Sequence, residues 1–576
     1  MILIPFLAAL ALPACNQAIQ DPDAAASRSG HASLVRRGVE SVVIYGSGCS
    51  LFANLGRPGV PRMEDVWDAF TQDLRRIGAS HVFGLGDHAL PSCLPQWEST
   101  RRHLSEVGAE KHLLRGDFDT WDLPGYGEAG GGPRNRTVDI GANRFVMLDD
   151  RKLFSEADLR FLEEACAPRG EPGQTFVLTH SRLHLKSDDA SNWNRDVVPI
   201  LLRSGVRYVF CGEDNRELLA SSTIPKGDAD PRLYYFCVGF HDSGYRGPGL
   251  YVELRFRDGR LESMLPRAIP LDVRHPWFHF HPASWNNQAS RAQYGDWKPD
   301  VEESGPYAGR VRWAWPDQKQ QGVTRMALYG HAYALHIDNH DDGRIHSEEL
   351  ISAFIDELNR LEFDHVFALG DHVFDPRSKE EWKLVERQYD RLAAKVHMVR
   401  GNHEWWPKLP VLEKYGCVEP NTFLDIGRNR FILFGYREVY SKEDLLFLDD
   451  AIAGHEDRRN TFFLTHLMSF QYRPVSEAPP GVDPNKPYGG YSNWNTDVAP
   501  VLKDRVHYAF FGDIYSRLAG HLVNPYGTYY ICSGFMFRGE RAMVYLDLEF
   551  RGDELWRVIP RTIPIDLRNE WYHYVH

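Results

Sequence analysis

The chain runs through the same succession of short blocks twice, and this repeat limits its fold more than any other feature. Ile44-Tyr45-Gly46 matches Leu328-Tyr329-Gly330, and Phe83-Gly84-Leu85-Gly86-Asp87-His88 matches Phe367-Ala368-Leu369-Gly370-Asp371-His372. In both copies 40 residues separate the two strand-end glycines, Gly46 from Gly86 and Gly330 from Gly370. Arg115-Gly116-Asp117-Phe118 matches Arg400-Gly401-Asn402-His403, Leu178-Thr179-His180 matches Leu464-Thr465-His466, and Ser191-Asn192-Trp193-Asn194 matches Ser492-Asn493-Trp494-Asn495. The copies close on Ile269-Pro270-Leu271-Asp272 and Ile563-Pro564-Ile565-Asp566. A period of about 290 residues is far longer than a solenoid unit and implies a duplicated domain. The expected organisation is a leader at 1–15, a tether at 16–38, one lobe at 39–272, a Trp-, Pro-, Asn- and Gln-rich connector at 273–323, and a second lobe at 324–576.

Within each lobe strand and helix alternate. A strand at 325–330 precedes a helix near 347–361, where Leu350, Ile351, Phe354, Ile355, Leu358 and Leu361 form one apolar face. Ser347 can cap that helix, with Glu348 and Glu349 in its first turn. Val66, Phe70, Leu74 and Ile77 repeat the pattern in lobe one, and Gly534 to Arg561 reads as hairpin strands. The runs ending in Gly370-Asp371 and Gly401-Asn402-His403-Glu404 are apolar until a polar cluster closes them. Buried parallel strands look like this when they deliver functional groups at their C-terminal ends, where open α/β sheets bind ligands.

Hydrophobic residues make up 43% of the chain, enough for several cores. The formal charge is −13 and no basic block of five or more residues occurs, which argues against a nucleic-acid partner. Ile2 to Leu12 is too short to span a bilayer and suits the apolar part of a signal peptide. Leu12-Pro13-Ala14-Cys15 resembles a bacterial lipoprotein box, with Cys15 as the lipidated residue. The expected location is therefore outside the cytoplasm, in the periplasm or on the outer membrane of a bacterium, with membrane contact only through a lipid at Cys15. Cys237 and Cys532, at matching places, read as buried strand residues and not as disulfide partners.

An Asp, an Asn and a His at adjacent strand ends form an oxygen-and-imidazole donor set suited to Mn, Fe or Zn. These blocks resemble the calcineurin-like metallophosphoesterase family, whose pattern reads D-x-H, G-D, G-N-H-E, a lone His and G-H-x-H. Gly370-Asp371, Gly401-Asn402-His403-Glu404, His466 and Phe511-Gly512-Asp513-Ile514-Tyr515 take the last four places in lobe two. The resemblance implies two tandem four-layer αββα sandwich lobes, the first a degenerate copy, with metals at the strand ends. It implies one metal site made by Asp371, Asn402, His466 and Asp513. A second site is damaged, because His331 and Tyr333 stand for D-x-H and Tyr515 for the final His, and tyrosine is a poor ligand near neutral pH. One metal is thus expected and not two. The implied reaction is metal-assisted hydrolysis of a small-molecule or surface phosphate ester, with His403 protonating the leaving oxygen.

Lobe one retains Asp87, Asp117, His180 and Glu213 as a vestigial donor set, but Phe118 replaces the acid, and Ser47 and Cys49 replace D-x-H. Ser-Asn-Trp-Asn reads in both lobes as an Asn-rich turn holding a packed Trp, one that in lobe two can also line the cleft. Trp405 and Trp406 stand where a leaving group would be gripped. Finally, Asp338-Asn339-His340-Asp341-Asp342-Gly343-Arg344-Ile345-His346-Ser347-Glu348-Glu349 resembles an EF-hand calcium loop, with Asp338, His340, Asp342, Arg344 and Glu349 in ligand positions. The leading expectation is an exported phosphoesterase working through lobe two. The alternative is a double pseudoenzyme serving as a binding or scaffold protein of the cell envelope.

Overall fold

The computed structural model describes residues 38–48, 63–89, 93–119, 123–149, 153–168, 173–185, 190–212, 219–223, 233–240, 249–274, 319–332, 347–404, 410–415, 421–454, 459–480, 490–513, 518–523, 528–533, 543–568 and 574–575. The leader with Cys15, the tether as far as residue 37, Cys49, Glu213, Tyr333, the acidic loop as far as residue 346, Trp405, Trp406, Tyr515 and most of the connector lie outside the described residues. So do the side chains of Glu349 and Cys532.

Two five-stranded sheets share one strand order. The first runs Arg260–Ala268, Leu250–Arg257, Val39–Tyr45, Ala79–Leu85, Glu110–Leu114. The other runs Glu554–Thr562, Val544–Arg551, Val323–Tyr329, His365–Leu369, Lys395–Val399. In each, the central strand pairs parallel with one neighbour and antiparallel with the other. Val42, Val43, Ile44 and Tyr45 are buried on both faces, which is why the strand reads as a continuous apolar run.

Each five-stranded sheet lies face to face with a larger one. Phe83 stacks on Phe145 at 4.7 Å, and Phe145 on Phe176 of the adjoining strand at 4.8 Å. Phe367 stacks in the same way on Phe431 at 4.9 Å, and Phe431 on Phe462 at 4.7 Å. Helices cover the outer faces. Met63–Ile77 buries Val66, Phe70, Leu74 and Ile77 over Val43 and Tyr45. Its Glu64 and Asp65 lie in the first turn and Arg75 and Arg76 in the last, each complementing the helix dipole. Ser347–Arg360 buries Ile351, Phe354, Ile355 and Leu358. On the opposite outer face, Leu162, Trp193 and Leu201 pack against Val146 and Leu148. Each half is therefore a helix–sheet–sheet–helix sandwich.

The Ser-Asn-Trp-Asn turns are structural. Asn192 braces Phe154 through both its amide atoms at 2.8 and 3.0 Å, as Asn493 braces Tyr440 at 2.8 and 2.9 Å. Trp193 and Trp494 are fully buried, so Trp494 faces the core and not a cleft. Cys237 is buried as its strand position suggests, with its Sγ 3.0 Å from that of Cys211 on the neighbouring strand.

The halves meet through reciprocal contacts. The Val273 amide donates to the Val558 carbonyl at 2.9 Å, and the Leu567 amide donates to that of Met264 at 2.8 Å. Arg274 reaches the carbonyls of Leu555 and Trp556, while Arg568 reaches those of Leu261 and Glu262. Tyr574–Val575 pairs in parallel with Ser221 and Ser222, so the end of the chain extends the larger sheet of the first half. Among the described residues no helix is long and apolar enough to cross a membrane.

Candidate metal centre

The strand His365–Leu369 is followed directly by Gly370, and Lys395–Val399 ends two residues before Gly401. Both glycines are dictated by space. Gly370 has φ +87°, and a Cβ there would lie 2.7 Å from the Gly401 Cα and 2.8 Å from the His466 ring. A Cβ on Gly401 would lie 2.2 Å from Asp371 Oδ1. The backbone then turns into the left-handed region at Asp371, φ 55°, and does so again at His331, φ 50°. Non-glycine residues pay strain there, and such residues gather at functional sites.

Glu404 fixes this turn. Its carboxylate accepts the backbone amides of Asp371 at 2.8 Å, His372 at 2.7 Å, Val373 at 3.3 Å and Gly401 at 2.9 Å. The sequence pattern contained Glu404 without assigning it a role. The signal was present in the first half too: Asp119 occupies the same place and accepts the amides of His88 and Gly116, each at 3.0 Å.

His331, Asp371, His466 and Asp513 bring one ligand atom each to within 4.8 Å of the others. His466 Nδ1 donates to the Leu369 carbonyl at 2.7 Å, which turns Nε2 toward Asp371 Oδ2 at 3.2 Å and Asn402 Oδ1 at 2.7 Å. His331 Nδ1 lies 3.4 Å from Asp371 Oδ2 and 3.4 Å from Asp513 Oδ1. His331, read from the sequence as part of a second site beside the first, thus lies next to the other donors. A Cβ on Gly330 would lie 2.2 Å from the Gly512 Cα, and that close approach sets His331 beside Asp513.

Burial disfavours charge on Asp371, but His466, followed by His331 and His403, outweighs it and holds the carboxyl well below the usual range. Burial likewise opposes a proton on His466, yet the adjacent Asp371 carboxylate, assisted by Asp513 and the Leu369 carbonyl, pushes that ring up to about 9. Two imidazoles, two carboxylates and an amide oxygen fit a divalent cation. The His466–Leu369 hydrogen bond is the outer contact that orients such a ligand.

His403 stands outside this cluster. Its amide donates to Asp371 Oδ1 at 3.1 Å, and its Nδ1 donates to the Phe374 carbonyl at 2.5 Å. A carbonyl only accepts, so Nδ1 carries a hydrogen and Nε2 is the nitrogen that exchanges protons.

The first half keeps part of this arrangement. Asp87, Asp117 and His180 converge, with His180 Nε2 3.2 Å from Asp87 and 3.3 Å from Asp117. The His180 hydrogen bond lowers the Asp117 carboxyl. Phe118 donates its amide to Asp87 at 2.9 Å, as His403 does to Asp371, but carries a phenyl ring where His403 carries an imidazole.

Residues 336–525 match the family model for calcineurin-like phosphoesterases. Solved structures similar to the chain include a dimetal phosphatase from Danio rerio, 14% identical, TM-score 0.31, over 42% of this chain and 99% of that one. Another is the purple acid phosphatase PPD1 from yellow lupin (Lupinus luteus) seeds, 13% identical, TM-score 0.28, over 60% of this chain and 69% of that one. A third is Vacuolar Protein Sorting 29 from Cryptosporidium parvum, 12% identical, TM-score 0.23, over 40% of this chain and 91% of that one. No curated protein matches the chain.

Proposed function

Starting from residues 336–525 as a calcineurin-like phosphoesterase sequence, we propose that the chain is an exported phosphoesterase whose working centre lies in its second half. The observation that carries this reading is the convergence of His331, Asp371, His466 and Asp513, with Asn402 against His466. These five residues would hold one divalent cation, Mn, Fe or Zn. When bound, the cation supplies a Lewis acid for phosphoryl oxygens and makes water more acidic.

The remaining work falls to the chain. His403, its Nδ1 fixed on Phe374, presents Nε2 to the leaving oxygen and gives it a proton. Glu404 holds the two loops so that the His403 amide stays on Asp371. The shared strand order of the two five-stranded sheets supports the reading of lobes 39–272 and 324–576 as a tandem pair. Phe118 in place of His403 supports a non-catalytic first lobe. The apolar stretch Ile2 to Leu12 and the Leu12-Pro13-Ala14-Cys15 box support a cell-envelope location in a bacterium, and the substrate in this reading is a phosphate ester met there.

Calcium in the loop of Asp338, His340, Asp342, Arg344 and Glu349 is a separate part of the proposal. Millimolar calcium should raise thermal stability, and Glu349→Gln should remove the gain. The phosphoesterase reading is tested by counting tightly bound metal in the full-length protein and in Asp371→Ala, and by assaying both on alkyl phosphates. One equivalent lost together with turnover is expected. Wild type that binds no transition metal and turns over no phosphate ester would overturn the reading in favour of a scaffold protein.

A further inference from the structure

We propose that the first half has a second transition-metal site, at the opposite end of its sheet from Asp87, formed by His81, His112 and Glu110. The three donors lie within 4.8 Å of one another. His81 and Glu110 face each other across parallel strands, and His112 is two residues further along. His81 Nδ1 is 3.2 Å from His112 Nε2, close to the separation of about 3.3 Å that two imidazoles take on one tetrahedral Zn. The Glu110 carboxylate is 3.8 Å from His81 and 3.7 Å from His112. Glu40, on the next strand, is 3.7 Å from His81 Nε2, the ring nitrogen that faces away from His112 and Glu110, and so stands behind the ligand ring and not in the donor set.

The second half shows what decides between a metal site and a mere histidine pair. His365 and His397 repeat the geometry, with Nδ1 3.0 Å from Nε2 and rings stacked at 5.3 Å. Phe367 backs His397 there as Phe83 backs His112. Yet the residue facing His365 is Lys395, where the first half has Glu110. An ammonium cannot ligate and repels a cation, whereas a carboxylate completes an N2O donor set. The packing of the histidines is common to both halves, and the ligand charge is not. Burial, with His81 and Arg136, pushes His112 down to about 4, so its ring is neutral at physiological pH. A cation here would tie the edge strand Glu110–Leu114 to Ala79–Leu85 and leave the strand-end clusters untouched.

The test uses the full-length protein carrying Asp87→Asn and Asp371→Asn, which removes a shared carboxylate from each strand-end cluster. Bound Co(II) is counted by equilibrium dialysis and followed by its visible absorption. Glu110→Lys, which copies the second half, should weaken Co(II) binding at this site by about tenfold or more and remove about one equivalent. The Glu110 side chain is 67% exposed, so the substitution should not disturb folding. Lys395→Glu should add an equivalent by completing the His365–His397 pair. Equal Co(II) content with and without Glu110 overturns the proposal and leaves a hydrogen-bonded histidine pair. No gain from Lys395→Glu overturns the claim that the facing carboxylate completes the site.

Discussion

One carboxylate oxygen of Glu404 accepts the Asp371 amide at 2.8 Å, and the same oxygen accepts the Gly401 amide at 2.9 Å. The two strand-end loops that deliver the metal donors are therefore held by a single side chain that touches no donor atom. Glu404 is fully buried, and its other oxygen accepts the amides of His372 and Val373. Removing it strands buried donors, each worth about 1–3 kcal/mol when unsatisfied. Glu404→Ala should therefore cost ~3 kcal/mol or more in urea unfolding and should weaken metal binding as well. Asp119→Ala should destabilise the first half while leaving metal affinity in the second unchanged. A Glu404→Ala protein with wild-type stability would show that the clamp is dispensable.

The His466 ring, raised to about 9 without a metal, gives a pH signature. A cation must displace that proton, so affinity should rise with pH up to about 9 and level off above it. The slope should approach tenfold per pH unit, with close to one proton released per metal. Asp371, held well below the usual carboxylate range, stays ionised throughout and contributes no slope. Metal-free stability should run the other way. His466 has its folded pKa raised, so the stability from its pairing with Asp371 is fully present below about 6.5 and is lost as pH rises through about 9. Calorimetry in buffers of different ionisation enthalpy, beside melting curves of the metal-free protein, checks both directions. Affinity that does not change with pH would mean His466 is not a ligand.

Much of the scaffold could be read from residue types. Val43 to Tyr45 and Val366 to Leu369 are buried on both faces, and such strands announce themselves as unbroken apolar runs. Ile351, Phe354, Ile355 and Leu358 show helical spacing because one face alone is buried. What could not be read depends on backbone geometry. Glu404 and Asp119 act on backbone N–H groups, which every residue but proline has, so nothing in the sequence marks their partners. The 3.4 Å between His331 and Asp513 depends on the close approach of Gly330 to Gly512, a backbone distance that a count along a motif does not contain. The pairing of Tyr574–Val575 with the first half had no signal, since two residues are too few to show a period.

His403 and Phe118 present their amides to equivalent carboxylates but differ in what their side chains can give. A leaving oxygen that needs a proton should lose about a hundredfold in turnover when His403 becomes Ala, with metal content little changed. An alkyl phosphate is the substrate to use, because an activated aryl ester leaves without a proton and would hide the loss. Asp117→Ala should remain near wild type on the same ester. If Asp117→Ala is crippled and His403→Ala is not, the working centre belongs to the first half.

Arg274 and Arg568 join the halves by the same contacts in opposite senses, but they are not equally buried. Arg274 pairs with Asp272, and their side chains are 1% and 7% exposed, while Arg568 and Asp566 are 30% and 28% exposed. Arg274→Leu leaves the Asp272 carboxylate buried without its cation and the Leu555 and Trp556 carbonyls without a donor. Breaking a buried pair on one side costs about 3–5 kcal/mol, whereas a solvated pair is worth about 1 kcal/mol or less. Arg568→Leu should therefore cost ~1 kcal/mol and Arg274→Leu several times that, as read from urea unfolding. Neither residue touches the His331–Asp371–His466–Asp513 cluster, so metal content of the folded protein should not change in either variant. Equal losses would mean that the reciprocal carbonyl contacts, and not the buried charge, hold the halves together.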